Sequence, residues 1–332
     1  MWSLKACALA GCLVLLLQGA RAEPCTPGAD ALGVARTVEI DPSAGPRFGF
    51  QYSEESFLAE GEVVLTFDDG PLRTYTKPVL EALSAHCTQA TFFPVGRMAL
   101  ADPEMVKEYA RRGHTVGSHT WSHQKLSALT PLKARTEIEL GFSAVQLAMG
   151  SPIAPFFRFP YLSDSRSMLT HLQGRQISAF SIDVDSKDFR TRDPGTVRRR
   201  VMADLARHHR GILLFHDIQP STARALPLIL SDLKAKGYRI VHLVAKAPIT
   251  TLGEFDAIAQ REFEKRHKQA TVQSIGEQAH PGPSLPSPPM QSAAVKHAGP
   301  QSPPAAEPSP RSSLRPASRA HTDDGWTTSI WR

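Results

Sequence analysis

The chain has 332 residues, with 38 basic and 32 acidic side chains and a formal net charge of +6. The excess sits at the two ends, because residues 23–264 carry 28 basic and 28 acidic residues. The body is therefore neutral, and the charge gives no ground for nucleic acid as a partner.

The first segment, MWSLKACALAGCLVLLLQGARA, has a lysine near its start, an apolar run to Leu17 and a small-x-small site at Ala20-Arg21-Ala22. This is the pattern of a secretory signal peptide over residues 1–22, so export to the periplasm or the medium is expected. The apolar run is too short for a membrane span, and no stable span is expected in the mature chain. Leu9-Ala10-Gly11-Cys12 resembles a lipoprotein box, but the apolar run continues past Cys12. An uncleaved anchor or a lipoprotein is the lesser alternative. Export places Cys25 and Cys87 in an oxidising compartment, where they either pair or leave Cys87 as a buried thiol.

Residues 23–60 form a lead segment. From there, short apolar runs alternate with stretches of helical spacing. VVLTF (63–67), ATFFPVG (90–96), HTVGSH (114–119), FFRF (156–159), ISAFSID (177–183), GILLFHD (211–217) and YRIVHL (238–243) read as strands. Helices are expected over 76–86, 102–113, 132–150, 194–209 and 223–237. The predicted class is α/β, a parallel sheet of about seven strands that suits a distorted (β/α) barrel better than an open sheet. This single domain spans 61–245 and is large enough for its own core. A helical linker (246–268) and a Pro/Ser-rich disordered tail (269–332) follow. The segment from Lys265 onward holds 11 of the 27 prolines and cannot bury enough apolar surface to offset its ordering entropy.

In such folds the reactive groups lie at the carboxyl ends of the strands. Asp68 and Asp69 end the first apolar run, His119 and His123 follow the third, and Arg158 and Tyr161 lie in RFPY. Asp185 and Asp188 lie in DVDSKDF, and His216 and Asp217 end GILLFHD. All are expected at one mouth. Two histidines four apart share a face of a helical turn, as two ligands of one metal require. With one carboxylate of the Asp pair they suit zinc, cobalt or nickel and leave a position open for water. The second carboxylate is then available as a general base. Each piece also has a plain structural reading: Asp-Asp-Gly-Pro is good turn chemistry, and His216 could be a hydrogen-bonded core histidine. The coincidence of five such signals at successive strand ends favours a site.

TFDDG, HTWSH, RFPY, DSKDF and LLFH, in this order and spacing, resemble the five motifs of the polysaccharide deacetylases, the NodB-homology or carbohydrate esterase family four domain. The resemblance covers roughly residues 61–245. It implies a distorted barrel, a divalent metal and removal of N-acetyl groups from N-acetylglucosamine polymers such as peptidoglycan, exopolysaccharide or chitin. By resemblance, Asp68 is the general base, and Asp69, His119 and His123 hold the metal. Arg158 pairs with Asp68, and His216 is the general acid, tuned by Asp188 or, as the lesser candidate, Asp185. Pro160, Tyr161, Phe189 and Leu214 line the substrate site, with the Tyr161 N–H on the oxyanion. The fourth family motif usually ends in Trp, whereas here it ends in Phe189, which keeps an aromatic wall without the indole N–H. The alternatives are a deacylase for another acyl group, O-acetyl or N-formyl, and a non-catalytic glycan-binding protein on the same fold. The expected partner is an N-acetylated glycan, and no oligomeric state is implied.

Overall fold

A computed structural model describes Cys25 and residues 31–52 and 56–279, with side chains up to residue 268. The signal peptide expected over 1–22 lies outside the described residues, as does the expected tail beyond residue 279. In chain order the lead segment forms β1 (Arg36–Ile40) and β2 (Arg47–Phe48). Next come β3 (Glu62–Asp68), α1 (Arg73–Ala85), β4 (Thr91–Phe93), α2 (Gly96–Ala101), α3 (Pro103–Arg111) and β5 (Thr115–Val116). They are followed by α4 (Pro131–Met149), β6 (Phe156–Phe157), α5 (Arg166–Gly174), β7 (Ser178–Phe180) and β8 (Val184–Asp185). The body closes with α6 (Pro194–His208), β9 (Gly211–His216), α7 (Pro220–Ala235), β10 (Arg239–Ala245) and α8 (Gly253–Ala279).

Every residue of β3 is buried, as expected of a parallel strand covered on both faces. It is the hub of the sheet. One edge pairs with β9 from Val63↔Gly211 to Asp68↔His216. The other pairs with β10 at its start and with β4 at its end. Pairing continues from β4 to β5, then through a Ser118↔Phe157 bridge to β6, β7 and β2. The chain leaving β7 crosses to β9 and pairs with it as β8. The result is a distorted (β/α) barrel, with β1 and β10 splayed from the start of β3.

Alternation along β3 separates two cores. Val63, Leu65 and Phe67 pack under the helices, with Phe67 stacked on Phe92 at 5.0 Å and Phe92 on Tyr109 at 4.1 Å. Val64 joins Phe93, Phe156, Phe180 and Ile212 in a second, separate cluster. Asp68 shares the period-two face of Val64 and Thr66. The strand that fills the barrel thus also delivers a carboxylate to its end.

Helix starts carry strong local signals. Asp102, Thr130 and Asp193 accept backbone N–H groups as N-caps of α3, α4 and α6, each followed by Pro at the first helical position. Gly150, at φ 71°, ends α4 in the left-handed conformation that favours glycine. Short elements were not foreseen: β1 and β2 in the lead segment, α2 directly after the second apolar strand, α5, and β8. The helix expected within 246–268 is α8, which runs on to Ala279. Contacts divide the chain after Arg266. Cys25 and Cys87 form a disulfide with their Cα atoms 5.5 Å apart, which decides between the two expected states. Among the described residues no helix is long and apolar enough to cross a membrane.

Candidate active site

Asp68, the last residue of β3, is 2% exposed, and its Oδ1 accepts a hydrogen bond from Arg158 Nη1 at 2.7 Å. Arg158 is completely buried. It also donates to Thr66 Oγ1 (2.8 Å), Phe180 O (3.3 Å) and Ser181 O (3.1 Å). Its guanidinium lies 4.5 Å from the Phe93 ring centroid. Burial pushes the Asp68 carboxyl up to about 6, partly opposed by Arg158.

The next residue turns. Asp69 has φ 77°, a conformation non-glycine residues keep only where their surroundings hold it. Its Oδ1 lies 3.5 Å from His119 Nε2 and 3.3 Å from His123 Nε2. The expected helical turn for HTWSH is not what brings the two histidines together. Thr120 (φ 71°) and His123 (φ 59°) are both left-handed, and Thr120 Oγ1 accepts the His123 N–H at 2.9 Å. This tight turn folds His123 back until the two ring centroids are 5.0 Å apart. His119 Nδ1 is 2.8 Å from the Arg158 carbonyl. A carbonyl only accepts, so Nδ1 carries the proton and Nε2 presents a lone pair. Burial holds both imidazoles below their ordinary pKa, hence neutral.

Asp69 Oδ1 is buried without a hydrogen-bond partner among the described residues, yet it faces two imidazole nitrogens. A tetrahedral metal with bonds of about 2.0–2.1 Å sets its ligand atoms about 3.3–3.4 Å apart. The observed 3.3 and 3.5 Å match that spacing. One carboxylate and two neutral imidazoles are also a suitable donor set for zinc and its neighbours. Among the described residues this is the cluster able to hold a metal ion.

Beside this cluster stands His216, at the end of β9 and paired with Asp68 across the sheet. Its Nδ1 is 2.7 Å from Asp188 Oδ1, and its backbone N–H donates to Asp188 Oδ2 at 2.7 Å. The Thr222 hydroxyl donates to the same Oδ2, and Ser221 Oγ donates to Asp188 O at 2.9 Å. With Nδ1 so engaged, Nε2 points toward the cluster, 4.0 Å from Asp69 Oδ2. Burial disfavours the imidazolium, but Asp188, Asp69 and Asp68 overcome it and raise the group to about 10.

Residues 58–177 match the family model described as polysaccharide deacetylase. The chain is 34% identical over 179 residues to the peptidoglycan-N-acetylglucosamine deacetylase PgdA of Listeria monocytogenes, covering 54% of this chain and 37% of that protein. It therefore spans little more than a third of that relative. It is 31% identical over 210 residues to a chitooligosaccharide deacetylase of Bradyrhizobium sp., covering 59% of this chain and 94% of the relative. The chain belongs to the polysaccharide deacetylase family. Among solved structures, a peptidoglycan deacetylase of Bdellovibrio bacteriovorus superposes with a TM-score of 0.59 at 34% identity, covering 66% of this chain and 61% of that one.

The polysaccharide deacetylase motifs converge, with two distinctions the sequence left open. Asp188 contacts His216, whereas Asp185 accepts the Lys187 N–H at 2.9 Å and closes its own turn. Asp217 is the correction. It is fully buried and does not face the mouth. Its Oδ2 accepts from Tyr109 Oη at 2.6 Å and Thr76 Oγ1 at 2.7 Å, and its carboxylate lies against Gly70. The side chain after His216 thus points to the opposite face of the sheet, as strand alternation requires. Leu214, two residues before His216, is buried on the His216 side of the strand. Pro160 is buried, and Tyr161 adopts φ 58° with its exposed ring edge-on to His123 at 4.7 Å. Phe189 stands edge-on to His216 at 5.5 Å. Residues not foreseen are Thr222, which holds Asp188, and Gln51, which bonds Leu162 O at 2.8 Å and the Ser181 hydroxyl. Neither belongs to a recognisable motif, so spacing alone could not have singled them out.

Proposed function

We propose that this protein is an exported, divalent-metal-dependent hydrolase that removes N-acetyl groups from N-acetylglucosamine polymers. The observation that carries the reading is the convergence of His119 and His123 on a buried Asp69 oxygen that has no hydrogen-bond partner among the described residues, with Asp68 and His216 at its side. The activities of the relatives support it, and the N-terminal signal pattern together with the disulfide supports export. Zinc is the preferred ion for this donor set, with cobalt or nickel as substitutes.

Asp69, His119 and His123 would hold a divalent ion, which would supply Lewis-acid polarisation of the acetyl carbonyl and acidify water. Asp68, fixed by Arg158, takes the proton of the attacking water. Arg158 cannot swing away, because its donors are spread over four acceptors inside the barrel. The Tyr161 N–H serves as the oxyanion donor, a contact typically worth about 3 kcal/mol in the transition state. His216, aligned by Asp188, delivers a proton from Nε2 to the leaving amine, without which the carbon–nitrogen bond would not break. Leu214 and Phe189 wall the acetyl pocket.

Mass spectrometry of N-acetylglucosamine tetramers incubated with the zinc-loaded protein tests the reading. Products that lose acetyl groups while the glycosidic bonds stay intact are expected. Unchanged tetramers, together with hydrolysis of an O-acetylated or N-formylated glycan, would move the assignment to that acyl group.

A further inference from the structure

The turn that carries the two histidines is held from three sides, and one of the holds is a buried carboxylate on α4. Glu137 is 7% exposed. Its Oε2 accepts the Ser122 N–H at 2.8 Å, and its Oε1 accepts the Ser122 hydroxyl at 2.7 Å. Its own carbonyl accepts the Trp121 N–H at 2.8 Å. From α2, Gly96 and Arg97 donate their N–H groups to the carbonyls of Thr120 and Trp121 at 2.9 and 3.0 Å. Just past β4, the Pro94 carbonyl accepts the His119 N–H at 3.0 Å. With the His123 N–H on Thr120 Oγ1, every residue from His119 to His123 has a backbone group engaged.

A buried carboxylate without a cation is costly to keep. Among the described residues Glu137 forms no ion pair, and both of its oxygens go to Ser122, the residue before His123. Glu139, two residues on, shows the ordinary alternative: its buried carboxylate meets His171 Nε2 at 2.8 Å and Arg175 Nε at 2.9 Å. The stretch that Glu137 holds is strained. Thr120 and His123 are left-handed at φ 71° and 59°, which such residues keep only where their surroundings over-determine them. We infer that Glu137 is a positioning residue for the metal centre. By fixing Ser122 it locks the turn that sets His123 Nε2 at 3.3 Å from Asp69 Oδ1, independently of the ion. It touches neither ion nor substrate. His119 is oriented through its ring, by the Arg158 carbonyl, whereas His123 is oriented through the turn. A ligand already in place loses little conformational freedom on binding, so affinity is gained without an added contact. The inference goes beyond the ligand set and rests on the metal reading proposed above.

The test compares the full mature protein with its Glu137→Ala, Glu137→Gln, Ser122→Ala and Glu139→Ala variants. Zinc affinity is read by competition with a chromophoric chelator, site geometry from the visible absorption of the Co²⁺ form, and stability by thermal melting. Residues that orient metal ligands typically weigh about 10–100-fold in metal affinity, so Glu137→Ala should weaken zinc by that factor and change the cobalt spectrum. Ser122→Ala removes one of the two hydrogen bonds and should weaken zinc about fivefold. Glu137→Gln should rescue. Its amide oxygen accepts the Ser122 N–H and its NH₂ donates to the Ser122 hydroxyl oxygen, so affinity stays within about threefold of the parent. Glu139→Ala should lower the melting temperature and leave zinc affinity and the cobalt spectrum unchanged. In the metal-free proteins, the Ser122 amide hydrogen should exchange slowly in the parent and in Glu137→Gln and rapidly in Glu137→Ala. If Glu137→Ala does not fold, Ser122→Ala set against Glu139→Ala decides. Parent-like zinc affinity and cobalt spectra in the folded Glu137→Ala and Ser122→Ala variants would overturn the inference and leave the deacetylase reading standing. So would a loss of zinc affinity in Glu139→Ala as large as that in Glu137→Ala. A parent protein that binds neither zinc nor cobalt would overturn the metal reading, and this inference with it.

Discussion

Replacing Gly70 by alanine probes the joint between the metal cluster and the barrel wall behind it. A Cβ at Gly70 would lie 2.3 Å from both Oδ atoms of Asp217 and 2.6 Å from its Cγ. An ordinary contact needs about 3.5 Å, so roughly 1 Å of movement is required. Side-chain carboxylates often swing aside at little cost, but Asp217 is fully buried and pinned by Tyr109 Oη and Thr76 Oγ1. Thr76 Oγ1 in turn accepts the Leu72 N–H at 2.8 Å, so the strain reaches the start of α1. Overpacking of this kind costs about 1–3 kcal/mol, and weakening a hydrogen bond to a charged or polar buried group adds about 1–2 kcal/mol. A total of about 3 kcal/mol lowers the melting temperature of a domain this size by roughly 6–12 °C. Because Gly70 directly follows Asp69, the ligand carboxylate shifts too, and zinc affinity should fall at least tenfold. Thermal melting followed by circular dichroism and a zinc titration measure both effects. Adding Asp217→Ser should recover part of the loss, giving a favourable coupling in the double-mutant cycle. A Gly70→Ala protein that melts within a degree of the parent and binds zinc equally well would refute the packing argument.

Three further outcomes are expected. Asp68→Asn keeps the hydrogen-bonding shape but removes the proton acceptor, so turnover should drop at least a thousandfold while zinc still binds; retained turnover would remove Asp68 as the base. Arg158→Leu leaves the Asp68 carboxylate buried without its cation, a loss of about 3–5 kcal/mol that a denaturant melt would register. The third concerns His114, tilted against Phe92 with ring centroids 5.2 Å apart and held neutral by burial with a pKa of about 3. In the unfolded chain it takes up a proton below about 6.5, so the unfolded state binds more protons and folding stability falls as pH drops. The stability gap between the parent and His114→Phe should therefore shrink by about 1.5 kcal/mol between pH 6.5 and pH 5. A gap that stays constant over that window would show that His114 is not buried neutral.

How much was legible in the sequence follows from where the signals lie. The fully buried run of β3 and the Asp-Asp pair at its end are contiguous, so strand, face and site could be read together. The roles of Asp188 and Asp217 could not be separated in the same way. Both are acids near His216, and their difference lies in which side of a strand or loop each faces, which depends on register across β8, β9 and α7. His119 and His123 do converge, but not through the helical spacing that suggested it: two left-handed residues produce the convergence. β1, β2 and β8 are short and pair only with strands distant in sequence, so local periodicity carries little trace of them.

The most direct measurement is acetate released from N-acetylglucosamine oligomers by the mature protein as purified, after chelation, and after restoring Zn²⁺ or Co²⁺, with His123→Ala run in parallel. The account predicts release that disappears with chelator, returns with metal, and stays absent in the variant along with bound zinc. Release that persists after complete metal removal, or full zinc occupancy in His123→Ala, would contradict it.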